Sequence, residues 1–167
     1  RDKALVRHTA TGAQWAYGNA FDGGVAPDGF RYGLTQNPQM CLNGVVHPDL
    51  TPKPGAWEVK KVQAPIAFSA ADTESLLAGQ VTVTNTYHAL DLAHIEIAWE
   101  LTCDGEVAEH GCVAAPPVAP GAAANLTVPF SRPQVTAGAE YWLNLTARQT
   151  SATPWSAAGH VIAWEQL

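Results

Sequence analysis

The chain has few cations and no long apolar run. Nine Lys and Arg stand against fifteen Asp and Glu among 167 residues, a formal net charge of −6. Residues 62–167 hold only Arg132 and Arg148 against ten acidic residues, whereas a nucleic-acid surface needs clustered cations that release counterions from phosphate. No stretch approaches the roughly 18 consecutive apolar residues of a membrane-spanning helix. Neither a nucleic acid nor a membrane is therefore expected as a partner.

Cysteine is also scarce, and the total of three is an odd number that is unlike a disulfide framework. Cys103 and Cys112 are the nearest pair. The dipeptide Asp104-Gly105 is typical of a two-residue hairpin turn, which would place Cys103 opposite Glu106 and Cys112 opposite Ile97. The two thiols would then lie roughly 20 Å apart along the strand, too far for a disulfide. We expect reduced, buried thiols in a cytoplasmic protein.

The first third of the chain lacks the regular pattern of a self-contained domain. Residues 1–56 hold eight of the fourteen glycines and five of the twelve prolines, and turn-forming pairs crowd residues 21–40. A loop of this length inside a compact domain is usually functional or disordered. Pro52 and Pro54 predict the start of a short helix around residues 57–62, and Pro65 predicts an extended segment after it.

From residue 66 onward, apolar and polar residues alternate with the period of a β-strand that has one buried face. The clearest strand covers residues 95–102, and similar alternation occurs at 81–84, 126–130 and 141–146. Turn-forming pairs separate these segments at 78–79, 104–105, 120–121 and 137–138. Six or seven strands with this spacing predict an antiparallel β-sandwich of about 100 residues. Trp99 falls on the apolar face and is expected in the core, whereas one of Tyr141 and Trp142 must point outward.

Several residue types that carry chemistry are present without the spacing that catalysis or zinc binding needs. Glu96 and Glu100 share the polar face of one predicted strand, but four residues separate them by roughly 13 Å, too far for two carboxylates to act directly together on a sugar. The six histidines are scattered and none has zinc-ligand spacing. Six tryptophans leave open a stand-alone sandwich module that binds carbohydrate or protein.

Four sequence blocks, in order, resemble one known family. They are Trp-Ala-Tyr-Gly at 15–18 followed by Phe-Asp at 21–22, Met-Cys-Leu-Asn-Gly-Val at 40–45, Asp-Leu-Thr-Pro-Lys-Pro at 49–54 and Trp-Glu-Val-Lys-Lys-Val at 57–62. Gly159-His160 and Ala163-Trp164 close the pattern. Together they resemble the end of the catalytic barrel and the following domain in large bacterial β-galactosidases of glycoside hydrolase family 2.

The resemblance implies a mainly β chain built in two parts. Residues 1–63 would be the loop-rich C-terminal remnant of a (β/α)8 barrel, with a short helix. Residues 64–167 would be an immunoglobulin-like antiparallel β-sandwich. The chain would then be a fragment of a longer enzyme, in which the sandwich fixes the barrel against the next domain.

The same resemblance implies the activity of the parent enzyme. Such enzymes hydrolyse terminal β-D-galactosides with retention, through a galactosyl-enzyme intermediate on a glutamate. Both catalytic glutamates of the family precede the part that matches this chain, so the fragment itself is expected to be structural, inactive and without a cofactor of its own. Magnesium and sodium are expected in the parent, which would assemble as a homo-oligomer.

Met40 and Asn43 are the candidate site residues. In the family, the first residue of the matching loop gives a backbone carbonyl to a sodium ion beside the galactose subsite, and the asparagine gives its side-chain oxygen. The resemblance therefore implies metal binding by Met40 and Asn43, and substrate binding by Asn43, since oxygen ligands suit a hard cation. From the residues alone, Asn43-Gly44 is equally an ordinary turn.

Overall fold

A computed structural model describes residues 5–9, 12–16, 44–47 and 50–167, the first two ranges by their backbone alone. The chain divides into two compact units, residues 1–59 and residues 60–167. Among the described residues, no helix is both long enough and apolar enough to cross a membrane.

The described part of the first unit contains a β-hairpin and a tight loop. Strands β1 (Leu5–Thr9) and β2 (Gly12–Ala16) pair antiparallel, with Thr9 opposite Gly12. Further along, Val46 and Pro52 form an isolated antiparallel bridge, and the Lys53 amide donates to the Val45 carbonyl at 3.0 Å. These bonds bring residues 45–46 next to residues 52–53, immediately before the first helix.

Helix α1 (Pro54–Val62) confirms the predicted short helix and begins three residues earlier than expected. Proline suits the first turn of a helix because its missing amide hydrogen would have no partner there. Lys60 and Lys61 occupy the last turn, where positive charge interacts favourably with the helix dipole.

Seven strands follow and confirm the predicted antiparallel sandwich. They are β3 (Ile66–Ser69), β4 (Gln80–Asn85), β5 (Ile95–Cys103), β6 (Glu106–Ala114), β7 (Ala123–Thr127), β8 (Tyr141–Gln149) and β9 (Val161–Gln166). One sheet has the order β3-β4-β7 and the other the order β6-β5-β8-β9, with every pair antiparallel. The barrel origin of residues 1–63 stays a prediction.

A five-residue helix, α2 (Thr73–Leu77), was not predicted by the alternation pattern. Asp72 caps its N-terminus, accepting a hydrogen bond from the Ser75 amide at 2.7 Å. Gly79 follows it with a φ of +74°, and a Cβ there would lie only 2.3 Å from the Val128 carbonyl oxygen. Glycine is therefore required where the chain turns from α2 into β4.

The core lies between the two sheets and is made from the inward residues of the strands. Its largest fully buried apolar side chains are Leu92, Ile95, Ile97, Leu143, Leu145, Val81, Val83 and Val128. Trp99 is 5% exposed, which confirms its predicted place in the core, and its ring lies 6.2 Å from that of Phe130. Trp142 is 40% exposed and Leu143 is buried, which confirms that one of Tyr141 and Trp142 points outward.

One polar side chain, Asn85, is completely buried in this core. Its amide nitrogen donates to the Leu90 carbonyl at 2.8 Å and to the Val118 carbonyl at 2.9 Å, and its oxygen accepts from the Tyr87 amide at 2.9 Å. Asn85 thus satisfies its own polar atoms while it fixes the two loops at one end of the sandwich.

The β5–β6 hairpin turns at Asp104-Gly105 as predicted, with Cys103 opposite Glu106. Both turn residues have positive φ, 50° and 85°, as a type I′ turn requires. The predicted partner of Cys112 was wrong by one residue. A β-bulge beside Leu101 and Thr102 adds a residue to β6, so Cys112 lies opposite Ala98 instead of Ile97.

The prediction of buried thiols was also wrong for the two described cysteines. Cys112 is exposed and Cys103 is partly exposed, and both are free thiols. The Cys112 side chain points away from the core, and β6 is an edge strand of its sheet. An outward side chain on an edge strand has no second layer to cover it.

Strand β7 ends at Thr127, whereas the alternation predicted a strand through residue 130. Val128 and Phe130 still bury or half-bury their side chains against the core. Pro129 has no amide hydrogen to donate to a ladder, and the Val128 amide donates instead to the Gly79 carbonyl at 2.8 Å. The inward pattern therefore continues beyond the end of the strand.

Candidate functional site

The predicted sodium-binding and substrate-binding residues, Met40 and Asn43, lie outside the described residues. Gly44, the next residue along the chain, is exposed. Directly after it, the His47 amide donates to the Thr51 carbonyl at 2.8 Å, and Leu50 has a φ of 71°. Among the described residues, no group of three or more His, Cys, Asp and Glu side chains is placed to hold a metal ion.

The outer face of the four-stranded sheet carries the two glutamates considered in the sequence. Glu96 lies opposite Arg148, and Glu100 lies between Asn144 on β8 and His110 on β6. Glu100 is exposed and Glu96 is partly exposed. They are four residues apart on one extended strand, so their separation stays near the roughly 13 Å expected from strand geometry. This arrangement does not support a catalytic carboxylate pair.

A shallow depression of about 190 Å³ lies on this outer face, across β6, β5 and β8. Its lining mixes polar and apolar surface in nearly equal parts and comprises Ala98, Trp99, Glu100, His110, Gly111, Cys112, Asn144, Thr146 and Arg148. The buried Trp99 belongs to the core, so its ring is not an exposed platform for a sugar. The depression can offer hydrogen bonds to a polar neighbour, but its volume lies below the roughly 300–1,000 Å³ typical of small-molecule pockets.

Lys61, in the last turn of α1, contacts the edge strand β9 within the second unit. Its ammonium group donates to the Trp164 carbonyl and, at 2.8 Å, to the Glu165 carboxylate. The same nitrogen lies 5.7 Å from the centre of the Trp164 ring, within cation–π range. Lys61 therefore satisfies a carbonyl on β9, which is an edge strand of its sheet.

The contact with Lys61 also changes the titration of Glu165. The hydrogen bond from Lys61 lowers the pKa of this carboxyl below its ordinary value, and this effect outweighs the opposing effect of partial burial. At two other carboxyl groups, backbone amides also lower the pKa. The Ser131 amide lowers the pKa of Glu109, and the Ser75 amide lowers that of Asp72. These carboxylates hold local structure together and are not placed for catalysis.

The turn between β8 and β9, residues 150–160 and hereafter the Trp155 turn, is the most unusual feature of the sandwich surface. Trp155 is 82% exposed, more than any other large apolar side chain among the described residues. Beneath it, Thr153 and Ser156 form an antiparallel bridge and share a hydrogen bond between their hydroxyl groups at 2.9 Å. The exposed indole is thus carried by an ordered turn.

The turn is anchored on Gln149, which is only 7% exposed. The Gln149 amide nitrogen donates to the Ser151 carbonyl, and its oxygen accepts from the Ser156 hydroxyl at 3.3 Å. Sequence reasoning missed this residue because Gln is usually a surface residue. The only local signal was its position on the inward register of β8, after Leu143, Leu145 and Ala147.

Comparison with known proteins assigns a family to the sandwich. The family model described as beta-galactosidase, domain 4, matches residues 81–167. The chain is similar to beta-galactosidase 2 of Enterobacter cloacae, with 36% identity over 167 residues, and to the beta-galactosidases of Pectobacterium atrosepticum (34% over 166) and Aeromonas hydrophila (33% over 167). Each match covers 99% of this chain and 15% of the relative.

Proposed function

Because the chain belongs to the β-galactosidase domain 4 family, we propose that it is a non-catalytic segment of a β-galactosidase that hydrolyses terminal β-D-galactosides with retention. The family match over residues 81–167 carries this proposal. It takes in every strand from Val81 in β4 to the end of β9. The 15% share of each relative's length leaves room for a catalytic domain elsewhere in the same polypeptide.

The chemistry of the reaction supports a non-catalytic role for this segment. A retaining glycosidase needs two carboxyl groups about 5–5.5 Å apart, one as nucleophile and one as general acid and base. Glu96 and Glu100 lie too far apart along β5 for these roles, as described above. The other carboxylates with a shifted pKa, Asp72, Glu109 and Glu165, are committed to amide or ammonium partners.

The mechanical role proposed for the sandwich is to hold the catalytic barrel against the domain that follows. A two-layer core with one contiguous set of buried side chains gives it the rigidity for this task. Lys61 supports the same role, since its ion pair with Glu165 ties the start of the second unit to β9.

One of the two metals expected in the parent enzyme, sodium, is assigned to the predicted loop at residues 40–43. We propose that the Met40 carbonyl and the Asn43 side-chain oxygen bind sodium next to the galactose subsite, and that Asn43 also contacts substrate. Sodium would supply a fixed positive charge that orients a sugar hydroxyl. The described residues offer no cluster of acidic or histidine ligands for magnesium, so we assign the magnesium site to other parts of the parent.

The remaining partners and the location of the parent are part of the same proposal. A homo-oligomer in the cytoplasm, without nucleic-acid or membrane partners, fits the acidic composition and the free thiols of Cys103 and Cys112.

A second candidate function is a stand-alone module that binds carbohydrate or protein. The exposed Trp155, with Trp142 at 40% exposure, favours it, because aromatic faces can stack on sugars. Isothermal titration of the chain with lactose and longer galactans tests it. Heat of binding that is lost in Trp155→Ala would support the module, and flat traces would contradict it.

Hydrolysis of 4-nitrophenyl β-D-galactoside tests the main proposal. The full-length enzyme that contains this segment should hydrolyse it and release β-galactose first, as proton NMR can show, whereas the 167-residue chain should not. The matched 4-nitrophenyl β-D-glucoside serves as the specificity control. Turnover by the 167-residue chain alone, or release of α-galactose by the full-length enzyme, would contradict the proposal.

The loop proposal has its own test in the full-length enzyme. Asn43→Ala should raise KM for the galactoside and weaken activation by sodium chloride at constant ionic strength, with Asn125→Ala on exposed β7 as the matched control. Unchanged sodium activation in Asn43→Ala would contradict the proposed ligand role.

A further inference from the structure

The Trp155 turn exposes an apolar side chain that the sandwich itself does not use. An indole that is 82% exposed contributes little to the stability of its own domain. Tryptophan is also the residue most enriched among side chains that dominate protein interfaces. This combination makes Trp155 a candidate contact for a surface outside residues 60–167.

The turn that carries the indole is ordered by its own hydrogen bonds before any partner arrives. If the Ser156 hydroxyl donates to Gln149, the Thr153 hydroxyl must donate to Ser156, so the three side chains form one directed chain of hydrogen bonds. The Gly159 amide adds a bond to the Gln149 carbonyl at 2.8 Å. A loop ordered in advance loses less conformational entropy on binding.

The composition of the surrounding surface favours a protein partner over a sugar. Residues 149–164 contain no Asp, Glu, Lys or Arg, although residues 62–167 as a whole carry a net charge of −8. Ala152, Pro154, Ala157 and Ala158 are exposed around the indole. Sugar recognition needs free hydrogen-bonding groups beside the ring, whereas the Thr153 and Ser156 hydroxyls are bonded to each other within the turn. A surface without charged residues around an aromatic side chain is typical of the core of a protein interface.

We propose that Trp155 is an anchor that inserts into an apolar pocket on another domain of the same β-galactosidase polypeptide. The inference rests on the proposed function, since it needs a parent with further domains. The length of that parent supports this occupant. The family is described as domain 4 of β-galactosidase, and this chain covers 15% of the relatives it matches.

Oxidation of individual tryptophans, read by peptide mass spectrometry, tests the proposal. In the 167-residue chain, N-bromosuccinimide should oxidise Trp155 fastest, Trp142 more slowly and the buried Trp99 slowest. In the full-length enzyme, Trp155 should react at least about tenfold more slowly than in the chain, because an indole in a stable interface is reached only during transient opening. Equal Trp155 rates in the two proteins would overturn the proposal.

The same measurement separates the other possible occupants. Protection that disappears when the full-length oligomer is dissociated into folded monomers would place a second copy on Trp155 and overturn the proposal. Protection that appears only when lactose is added would assign a sugar and overturn it too. Protection that persists in the monomer without sugar supports it.

Substitutions extend the test to stability. Trp155→Ala should leave the melting temperature of the 167-residue chain unchanged but lower that of the full-length enzyme, and Trp155→Phe should restore part of the loss. Trp142→Ala is the matched control, and its effect should be similar in the two proteins. An equal loss of melting temperature in the chain and in the enzyme for Trp155→Ala would show a merely local role and contradict the anchor.

Galactoside hydrolysis, measured separately, decides the proposed function. A full-length protein in which Trp155 is protected but galactosides are not hydrolysed would therefore refute only the proposed function and not the anchor.

Discussion

The indole of Trp99 lies against the backbone of Gly111, its direct partner across the β5–β6 hairpin. A Cβ built on Gly111 would come within 2.8 Å of Cζ2 of Trp99 and 3.0 Å of Cε2. The largest aromatic side chain of the core therefore occupies the space that any other residue at position 111 would fill.

Gly111→Ala should consequently destabilise the chain by about 1–3 kcal/mol, because overpacking forces the ring or the strand to shift. Urea denaturation followed by circular dichroism measures the loss. Gly55→Ala is the matched control, since a Cβ there meets nothing within 4 Å. Adding Trp99→Leu to Gly111→Ala should reduce the extra cost of the alanine. An additive double variant would show that the contact is not the cause.

Asn85→Ala should destabilise the chain by about 3 kcal/mol or more, because two carbonyls and one amide at the buried end of the sandwich would lose their partner. Equilibrium unfolding again gives the value. Asn125→Ala, at an exposed position whose hydrogen bond to Thr82 is long at 3.4 Å, should stay within about 0.5 kcal/mol of the parent chain. Similar losses in the two variants would contradict the role assigned to Asn85.

The Lys61–Glu165 contact predicts a pH dependence with a definite sign. The pKa of Glu165 is lowered in the folded chain relative to its ordinary value of 4.5. The unfolded state therefore binds a proton at Glu165 more readily than the folded state does. The contribution of the contact to the free energy of unfolding is complete above about pH 4.5 and is lost as the pH falls through the lowered folded-state pKa. Both side chains are about one-third exposed, so the effect at neutral pH should stay below about 1 kcal/mol.

Glu165→Gln checks this sign. Its loss of stability should be present at pH 6–7 and should shrink as the pH drops below about 4. Glu106→Gln, at an exposed hairpin position, is the control and should follow the parent chain at every pH. A difference that grows as the pH falls would contradict the assignment of the Lys61 contact to Glu165.

The exposure of Cys112 predicts its reactivity. An exposed thiol is modified faster than a shielded one, so iodoacetamide should label Cys112 before the partly exposed Cys103. Peptide mass spectrometry at increasing times gives the order, and Cys112→Ser should remove the faster of the two signals without slowing the other. Faster labelling of Cys103 would contradict the described exposures.

The sandwich could be predicted from sequence because each strand carries its own signal. The alternation at Ile95, Ile97 and Trp99 indicates the buried face of β5, and it does not depend on which strand lies beside it. The turn at Asp104-Gly105 likewise depends on local backbone preferences. Both signals lie within a few residues of the structure they specify.

Other features could not be predicted because they depend on partners far along the chain. Lys61 and Glu165 are 104 positions apart, and Gln149 is buried only because it anchors the Trp155 turn. The bulge in β6 moved every residue after it by one position, which the turn alone does not reveal. The roles of Met40 and Asn43 rest on resemblance and stay predictions.

The bulge also determines which changes of length this hairpin tolerates. Counting back from Cys103 and Glu106 without an extra residue would place His110 opposite Trp99, and the bulge places Gly111 there instead. Ala108 is the extra residue, and deleting it would leave Gly111 opposite Trp99 in a regular ladder. Inserting one residue between the turn and position 111 with the bulge kept would instead press the His110 imidazole against the indole and turn Val113 away from the core. The hairpin can therefore shorten by one residue at the bulge, whereas a single insertion there breaks the packing of its core face.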